Sequence, residues 1–423
     1  MRRFLVNDAR VTSLVSRLSG AETESEIESV FARATFSLIT EPGDRFAGAL
    51  MKSLSPEVLL DLLLERASTS AVLSRLKEAD GSEELLSRFT DFDSAYSDAL
   101  QRWSPRLKLV DVISALDLAH KHGAIILSPL SQNWPPALGD LQYASPHCLW
   151  VKTSNIELFE FSDSLSVVGS RNATGYGEWV TSEIVTDCRS RNLPIISGGA
   201  YGIDAIAHRA AIANGLVTVA FMAGGIDRLY PSGNASLFEK ILDSGAVVAE
   251  QAPGASPTKW RFLQRNRLIA AMSSATIVIE AGQRSGALNT VTHAIELGRP
   301  AGAVPGPITS QSSAGCNRLI SEGLVSSICA PNEAADLALG KAGWFQPELA
   351  GLGAYETRAL DAMNSRSLSP AEIASRAGLT SRETEIALGQ LALLGFVKQT
   401  DRGWLKLPLD NGQSFETGGE RIR

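Results

Sequence analysis

Four cysteines in 423 residues, Cys148, Cys188, Cys316 and Cys329, already exclude two classes of protein. None forms a Cys-x-x-Cys pair and the closest two are 13 positions apart, so no zinc knuckle or disulfide framework is visible. The five histidines (His120, His122, His147, His208 and His293) contain no His-Glu-x-x-His, and no metal site is expected. No apolar window approaches the length of about 18 residues that a membrane span needs. The first apolar run breaks at Asn7 and Asp8, too early for a signal-peptide core, so the expected compartment is the cytoplasm. Positive charge is also short: 39 basic side chains face 46 acidic ones, a net charge of -7. That excludes a generally basic protein that coats DNA, but a local basic patch remains compatible with it. The phosphate-binding Gly-x-x-x-x-Gly-Lys-Ser/Thr loop, the dinucleotide Gly-x-Gly-x-x-Gly order and the Gly-x-Ser-x-Gly elbow are all missing. A P-loop motor, a dinucleotide enzyme and an α/β-hydrolase therefore lack support, and no cofactor is expected.

What is present is enough for more than one domain. At roughly 150 residues per domain the length implies two or three. With 44% hydrophobic and 20% charged residues the chain can bury a core. Residues 1–122 read as a helical domain: ESEIESVFARATFSLI repeats apolar residues at spacings of three and four. SPEVLLDLLLERA opens on Ser55-Pro56, and VDVISALDLAHKHG closes on Gly123. Residues 123–330 alternate short apolar strands with helical stretches, the pattern of an extended Rossmann-like, mostly parallel sheet covered on both faces. Residues 331–352 read as a linker and 409–423 as a loose tail. Between them, 353–408 has the helix, helix, helix, hairpin succession of a winged-helix domain.

Glycines mark the strand ends. VVGSR places Gly169, Ser170 and Arg171 after one strand; SGGAYGID places Ser197, Gly198 and Tyr201 after another. AGGIDRLYPSGN, EAGQRSGAL and PGPI follow three more. Such turns let backbone N–H groups approach an anion, with a helix dipole behind them. Taken one at a time they are also ordinary tight turns. Between 251 and 330 seven basic residues meet three acids, so this stretch is +4 within an acidic chain. Its densest run is KWRFLQRNR, with Lys259, Arg261, Arg265, Asn266 and Arg267. Arginine forks suit phosphate oxygens, though a solvated helix face would look the same. Trp260 and Phe262 offer either stacking surfaces or core packing. Asp204 and His208 stand four apart on one helix. They read as structural, Asp204 tethering the glycine loop and His208 donating a hydrogen bond, with acid–base chemistry as the less favoured reading. Asn234 reads as a helix cap, and Asn266 as a group that holds the arginine segment or touches ligand.

These stretches, together with RNRLIAAMSSATIVIEA, RSGALNTVTHA, GRPAGAVPG and GCNRLISEG in this order, resemble the bacterial DNA-processing protein A family (DprA, also called Smf). The resemblance implies a homodimer that binds single-stranded DNA without turnover and helps load RecA recombinase during natural transformation. It places Arg171 in a basic pocket, maps Arg265 and Arg267 onto the family's Arg-Asn-Arg element, and maps Ser285 and Gly286 onto its Ser-Gly turn. The family usually carries Leu where this chain has Gly199, and often a basic residue where it has Tyr201. Two other classes stay open. One is a nucleotide-processing enzyme of phosphoribohydrolase type. The other is a transcription regulator that uses the winged helix, against which stand Glu383 and Glu385 on its expected recognition helix and six basic against six acidic residues over 356–402.

Overall fold

A computed structural model describes residues 9–79, 89, 91–159, 161–341, 354–364, 366–393, 396–400 and 403–407. They fall into two compact units, Met1–Trp344 and Phe345–Arg423. The tail expected at 409–423 lies outside the described residues, as do residues 342–352 of the linker expected at 331–352.

In the first unit the described strands are β1 (Ile125–Leu127), β2 (Leu149–Thr153), β3 (Leu165–Gly169), β4 (Ile195–Ser197), β5 (Thr218–Met222), β6 (Gly245–Ala249), β7 (Ala275–Ile279), β8 (Ala301–Ala303) and β9 (Ser326–Ser327). They join in the order β1-β2-β6-β5-β4-β3-β7-β8-β9. From β6 to β9 every pairing is parallel, and β1 and β2 close one edge antiparallel. The mostly parallel sheet expected from the apolar runs is present; Thr218–Met222 and Ala275–Ile279 are buried throughout.

The N-terminal helices are α1 (Ala9–Ser19), α2 (Glu24–Ile39), α3 (Arg45–Ser53), α4 (Pro56–Leu64), α5 (Thr69–Glu78), α6 (Phe92–Trp103) and α7 (Leu109–Lys121). Local chemistry starts and stops them. Thr23 and Glu26 form a reciprocal capping box on α2, Pro56 opens α4, and Gly123 at φ 66° follows α7. Helices α8 (Gly175–Cys188), α9 (Ile203–Ala213), α10 (Ala235–Ser244), α11 (Lys259–Ala271), α12 (Ala287–Glu296), α13 (Ala314–Ser321) and α14 (Pro331–Ala338) follow the strands. Residues 331–338, expected in the linker, are thus a helix. Ala334, Ala335 and Leu337 bury it against the sheet, and short apolar side chains in a Pro- and Ala-rich stretch had hidden that period.

Strand alternation explains why the N-terminal helices belong to the same unit. One face of the sheet, with Val151, Phe221 and Val248, packs under α11, α12 and α13. The other face is shared. Ile195, Val167 and Ile277 lie under α8, α9 and α14, while Trp150, Val247 and Ala249 join the core of α1 to α7. The division read near residue 122 separates element types rather than cores. Trp150 is fully buried and its indole N–H donates to Ser37 Oγ of α2 at 3.2 Å.

The second unit holds α15 (Ala354–Asp361), α16 (Pro370–Ala377), α17 (Ser381–Leu393) and the hairpin β10 (Val397–Thr400) with β11 (Gly403–Lys406). Ser369 and Glu372 box the start of α16, and Thr380 exchanges hydrogen bonds with Glu383 at the start of α17. Ile373, Leu388, Leu391 and Val397 form its core.

A buried ion pair fastens the N-terminal helices to α11. Arg267 Nη1 and Nη2 donate to the two oxygens of Glu250 at 2.8 and 2.6 Å. Its Nε and Nη2 also donate to Ala144 O, and Gly43 N–H of the α2–α3 loop donates to Glu250 Oε1 at 3.3 Å. Glu250→Ala leaves a buried guanidinium unpaired, and we expect a loss of about 3–5 kcal/mol. Glu250→Leu combined with Arg267→Met should cost less, and urea unfolding of the full chain measures both.

Candidate nucleic-acid interface

Parallel strands place their C-terminal ends along one edge, and ligands of such sheets bind there, beside the point where strand order reverses. In this sheet β3 is that point, with β4 on one side and β7 on the other. The glycine-rich turns named above all sit on this rim.

Phe262, in the first turns of α11, organises it. The Arg171 guanidinium lies 4.9 Å from the Phe262 ring centroid, with Arg265 at 5.8 Å and the Tyr230 ring at 5.7 Å. Arg171 is exposed and forms no ion pair among the described residues. The turn that presents it is held by Ser170, whose Oγ accepts from Asn172 N–H at 3.1 Å. Lys259 is exposed at the start of α11, beside Trp260 at 56% exposure; Tyr201 and Tyr230 are also exposed. Phe262, open between stacking and core packing, is half-buried and supports an arginine, whereas Trp260 presents its ring to solvent.

Three of the expected phosphate contacts face inward. Arg265 is buried and donates to Gly198 O at 2.7 Å, to Phe221 O and to Asn266 Oδ1 at 3.2 Å. Burial lowers its pKa to about 10, against the opposing pull of Asp204, so it stays charged at neutral pH. Arg267 is taken by Glu250. Arg261 is taken by Glu41 of the α2–α3 loop, through Nε and Nη2 at 3.0 Å each. Spacing on a helix could not reveal this, because the partners lie far away in sequence. Gly198 shows how tight the fit is: a Cβ there would sit 2.4 Å from the Arg265 guanidinium.

The loop after β4 is tied down from below. Ala200 N–H donates to Asp204 Oδ2 at 3.4 Å, and burial pushes the Asp204 carboxyl up. Asn234 stands at the N-cap of α10 as expected, but its side chain makes no capping hydrogen bond; its Nδ2 donates to Gly199 O at 3.0 Å and Ala200 O at 3.3 Å. Gly199 adopts φ 64°, and its place against Phe238 leaves no room for a Cβ, so this chain's departure from leucine suits its own backbone. His208 Nδ1 meets Thr218 Oγ1 at 2.7 Å; because that hydroxyl donates to Ile195 O, the imidazole is the donor. Burial, then Arg265 and Arg209, lower the His208 pKa to about 3. Asp204 and His208 share no hydrogen bond among the described residues, so the less favoured acid–base pair does not form. Ser197 is buried with its hydroxyl on Val167 O at 2.6 Å. Asn266 Nδ2 donates to Gly286 O at 3.1 Å, positioning the Ser285–Gly286 turn, where Ser285 Oγ accepts from Ala287 N–H.

Two residues that the sequence reading counted only as charges have a place in the site. Glu280, directly after the fully buried β7, is itself buried at φ 53° and accepts from Thr174 N–H at 2.8 Å, from the Thr174 hydroxyl and from Ser312 Oγ at 3.3 Å. Its carboxylate fills the start of α8 beside β3. The signal available was an acid directly after a mostly apolar strand. Arg284 is exposed without an ion pair among the described residues, so the unpaired cations of this rim are Arg171, Lys259 and Arg284.

The model of the family described as DNA recombination-mediator protein A matches residues 125–337. A putative DNA processing protein DprA of Mycobacterium tuberculosis is 40% identical over 238 residues, 54% of this chain and 61% of that protein. This chain therefore spans less than two thirds of that relative. The DNA processing protein DprA of Streptococcus pneumoniae is 39% identical over 196 residues, 46% of this chain and 68% of that protein. The X-ray structure of DNA processing protein A from the same species aligns with a TM-score of 0.50 at 32% identity, covering 56% of this chain and 80% of that one.

Replacing the inward and outward arginines should give opposite results. Arg265→Ala strips Gly198 O and Phe221 O of their donor and should cost about 3 kcal/mol or more. Arg171→Ala should change stability by less than about 0.5 kcal/mol. Stability should also fall as pH drops from 6.5 toward 3, because His147 and His208 are held neutral to about 3 while their unfolded forms take up protons. Urea midpoints between pH 7 and 4 follow this, with a smaller decline expected in His208→Gln.

Proposed function

This chain belongs to the DNA recombination-mediator protein A family, and from that premise we propose that it is a non-enzymatic single-stranded DNA-binding protein. It holds incoming DNA along the rim and helps load RecA recombinase during natural transformation, acting in the cytoplasm as a homodimer. Phosphates are held by Arg171, Lys259 and Arg284 and by the glycine-turn N–H groups; bases rest on exposed Trp260, Tyr201 and Tyr230. The observation that carries the reading is Arg171 laid over Phe262: a cation with no ion pair among the described residues, pre-positioned on one ring with the exposed Tyr230 beside that ring. Cations with stackable rings bind single strands with little regard to sequence. Glu280 supports the non-enzymatic reading, since a fixed carboxylate occupies the helix start where a nucleotide phosphate would be drawn.

For the second unit we propose a winged-helix module that packs on protein. Its α17 exposes Arg382, Glu385 and Ile386, a face with no excess of positive charge.

Titration of labelled poly-dT over a range of salt tests the central proposal. Arg171→Ala should weaken binding roughly 10- to 100-fold, the worth of one charged hydrogen-bonding group at about 1.5–3 kcal/mol. It should also flatten the salt slope by about 0.7. Binding that ignores Arg171, or release of free base from a nucleoside monophosphate, would overturn it.

A further inference from the structure

Where α11 faces the N-terminal helices a second set of cations gathers, Arg261 from α11 and the others from residues 102–108. Arg261 forks Glu41, and the same Glu41 Oε1 accepts from Arg106 Nη1 at 2.9 Å. One carboxylate thus serves two guanidiniums and cannot neutralise both. Arg102 stands one turn before Arg106 and reaches Asp44 only at 3.9 Å. Asp44 is already engaged: Oδ2 accepts the Trp103 indole N–H at 3.0 Å, and Oδ1 caps α3 through Phe46 and Ala47 N–H. Lys108 is exposed and forms no ion pair among the described residues. Arg102 and Arg106 are 55% and 43% exposed. Beside Arg106 lies a cleft of about 460 Å³, lined by Arg106, Arg261, Asp111, Ser37, Ser114 and residues 251–255, with an apolar side formed by Leu38, Ala115 and Leu118.

This seam continues the rim. Residues 251–255, which follow β6 at the end of the rim, line the cleft together with Arg261 and Arg106, and Arg261 hands on to Arg106 through Glu41. Along it, Lys259, Arg261, Arg102, Arg106 and Lys108 outnumber Glu41, Asp44 and Asp111 by five to three. An arginine fork that already holds a carboxylate has the geometry to hold a phosphate. We infer that the N-terminal helices extend the phosphate track: a strand seated at Arg171 and Lys259 runs on into the seam, where Arg102, Arg106 and Lys108 meet its next phosphates and Glu41 is the internal anion that Arg106 and Arg261 exchange for them. This rests on the single-strand reading of the rim. From β6 to β8 the rim spans about 24 Å at strand spacing. That is roughly seven nucleotides at a stacked rise of about 3.4 Å, so only longer strands reach the seam.

The test uses the full chain, labelled dT6 and dT20, and the variants Arg102→Ala with Lys108→Ala, which leave the Glu41 and Glu250 clamps intact. The double variant should weaken dT20 roughly tenfold at low salt and flatten its salt slope by about 1.4, two charges at about 0.7 each, with dT6 unchanged. Glu41→Gln should strengthen dT20 and leave dT6 alone. Unchanged dT20 binding in the double variant, equal losses on both lengths, or stronger competition by poly-glutamate than by unlabelled dT20 would overturn the inference, the last pointing to an acidic protein. If wild type binds neither length, the reading of the rim itself has failed, and the seam with it.

Discussion

A guanidinium taken out of water must be paired, and α11 buries two of them within three residues. Arg265 meets this demand with the backbone carbonyls of the β4 turn and the end of β5, together with Asn266. Arg267 meets it with Glu250 and Ala144 O. Each solution pulls a distant segment to a fixed distance from the helix. The glycine turn is drawn over Arg265, so that a residue larger than Gly198 has no room, and the α2–α3 loop is drawn against Glu250. The shape of the rim follows from satisfying two charges underneath it.

Those demands decide which cations remain for a ligand. Of the seven basic residues between 251 and 330, Arg261, Arg265 and Arg267 are engaged inside. Arg299 binds Asp140 and the carbonyls at the end of α11, and Arg318 lies near Glu322. Lys259 and Arg284 are left, joined at the rim by Arg171 from another turn. A local surplus of positive charge is therefore a poor count of available phosphate contacts. What matters is which charges lack an internal carboxylate or carbonyl, and Phe262 marks one of them by supporting it from below.

The N-terminal helices follow from the same economy of surface. Among the later helices α10 and the edge of α9 reach the β1, β2, β6 and β5 part of one sheet face, and without the N-terminal helices Trp150, Val247 and Ala249 would meet water. Once α1 to α7 are in place, Glu41 and the 102–108 turn come to lie against α11, which brings their charges beside the rim.

The sequence by itself determined whatever depends on near neighbours. The capping residues Thr23, Pro56, Ser369 and Thr380, the apolar strands and the glycines at their ends were all legible, since helix starts, strand periods and turns are set over a few residues. It also singled out Arg171, because a charge inside a tight strand-end turn has few structural uses. Tertiary structure alone decided that all three arginines of KWRFLQRNR face inward, that the Asn234 side chain clamps a loop instead of bonding the helix it precedes, and that Glu280 fills the start of α8. It also decided that residues 331–338 are helix and that the first 122 residues share a core with the sheet. Each of these depends on a partner tens to hundreds of positions away, and the free energy of pairing a buried charge or covering an apolar face is not written in local spacing.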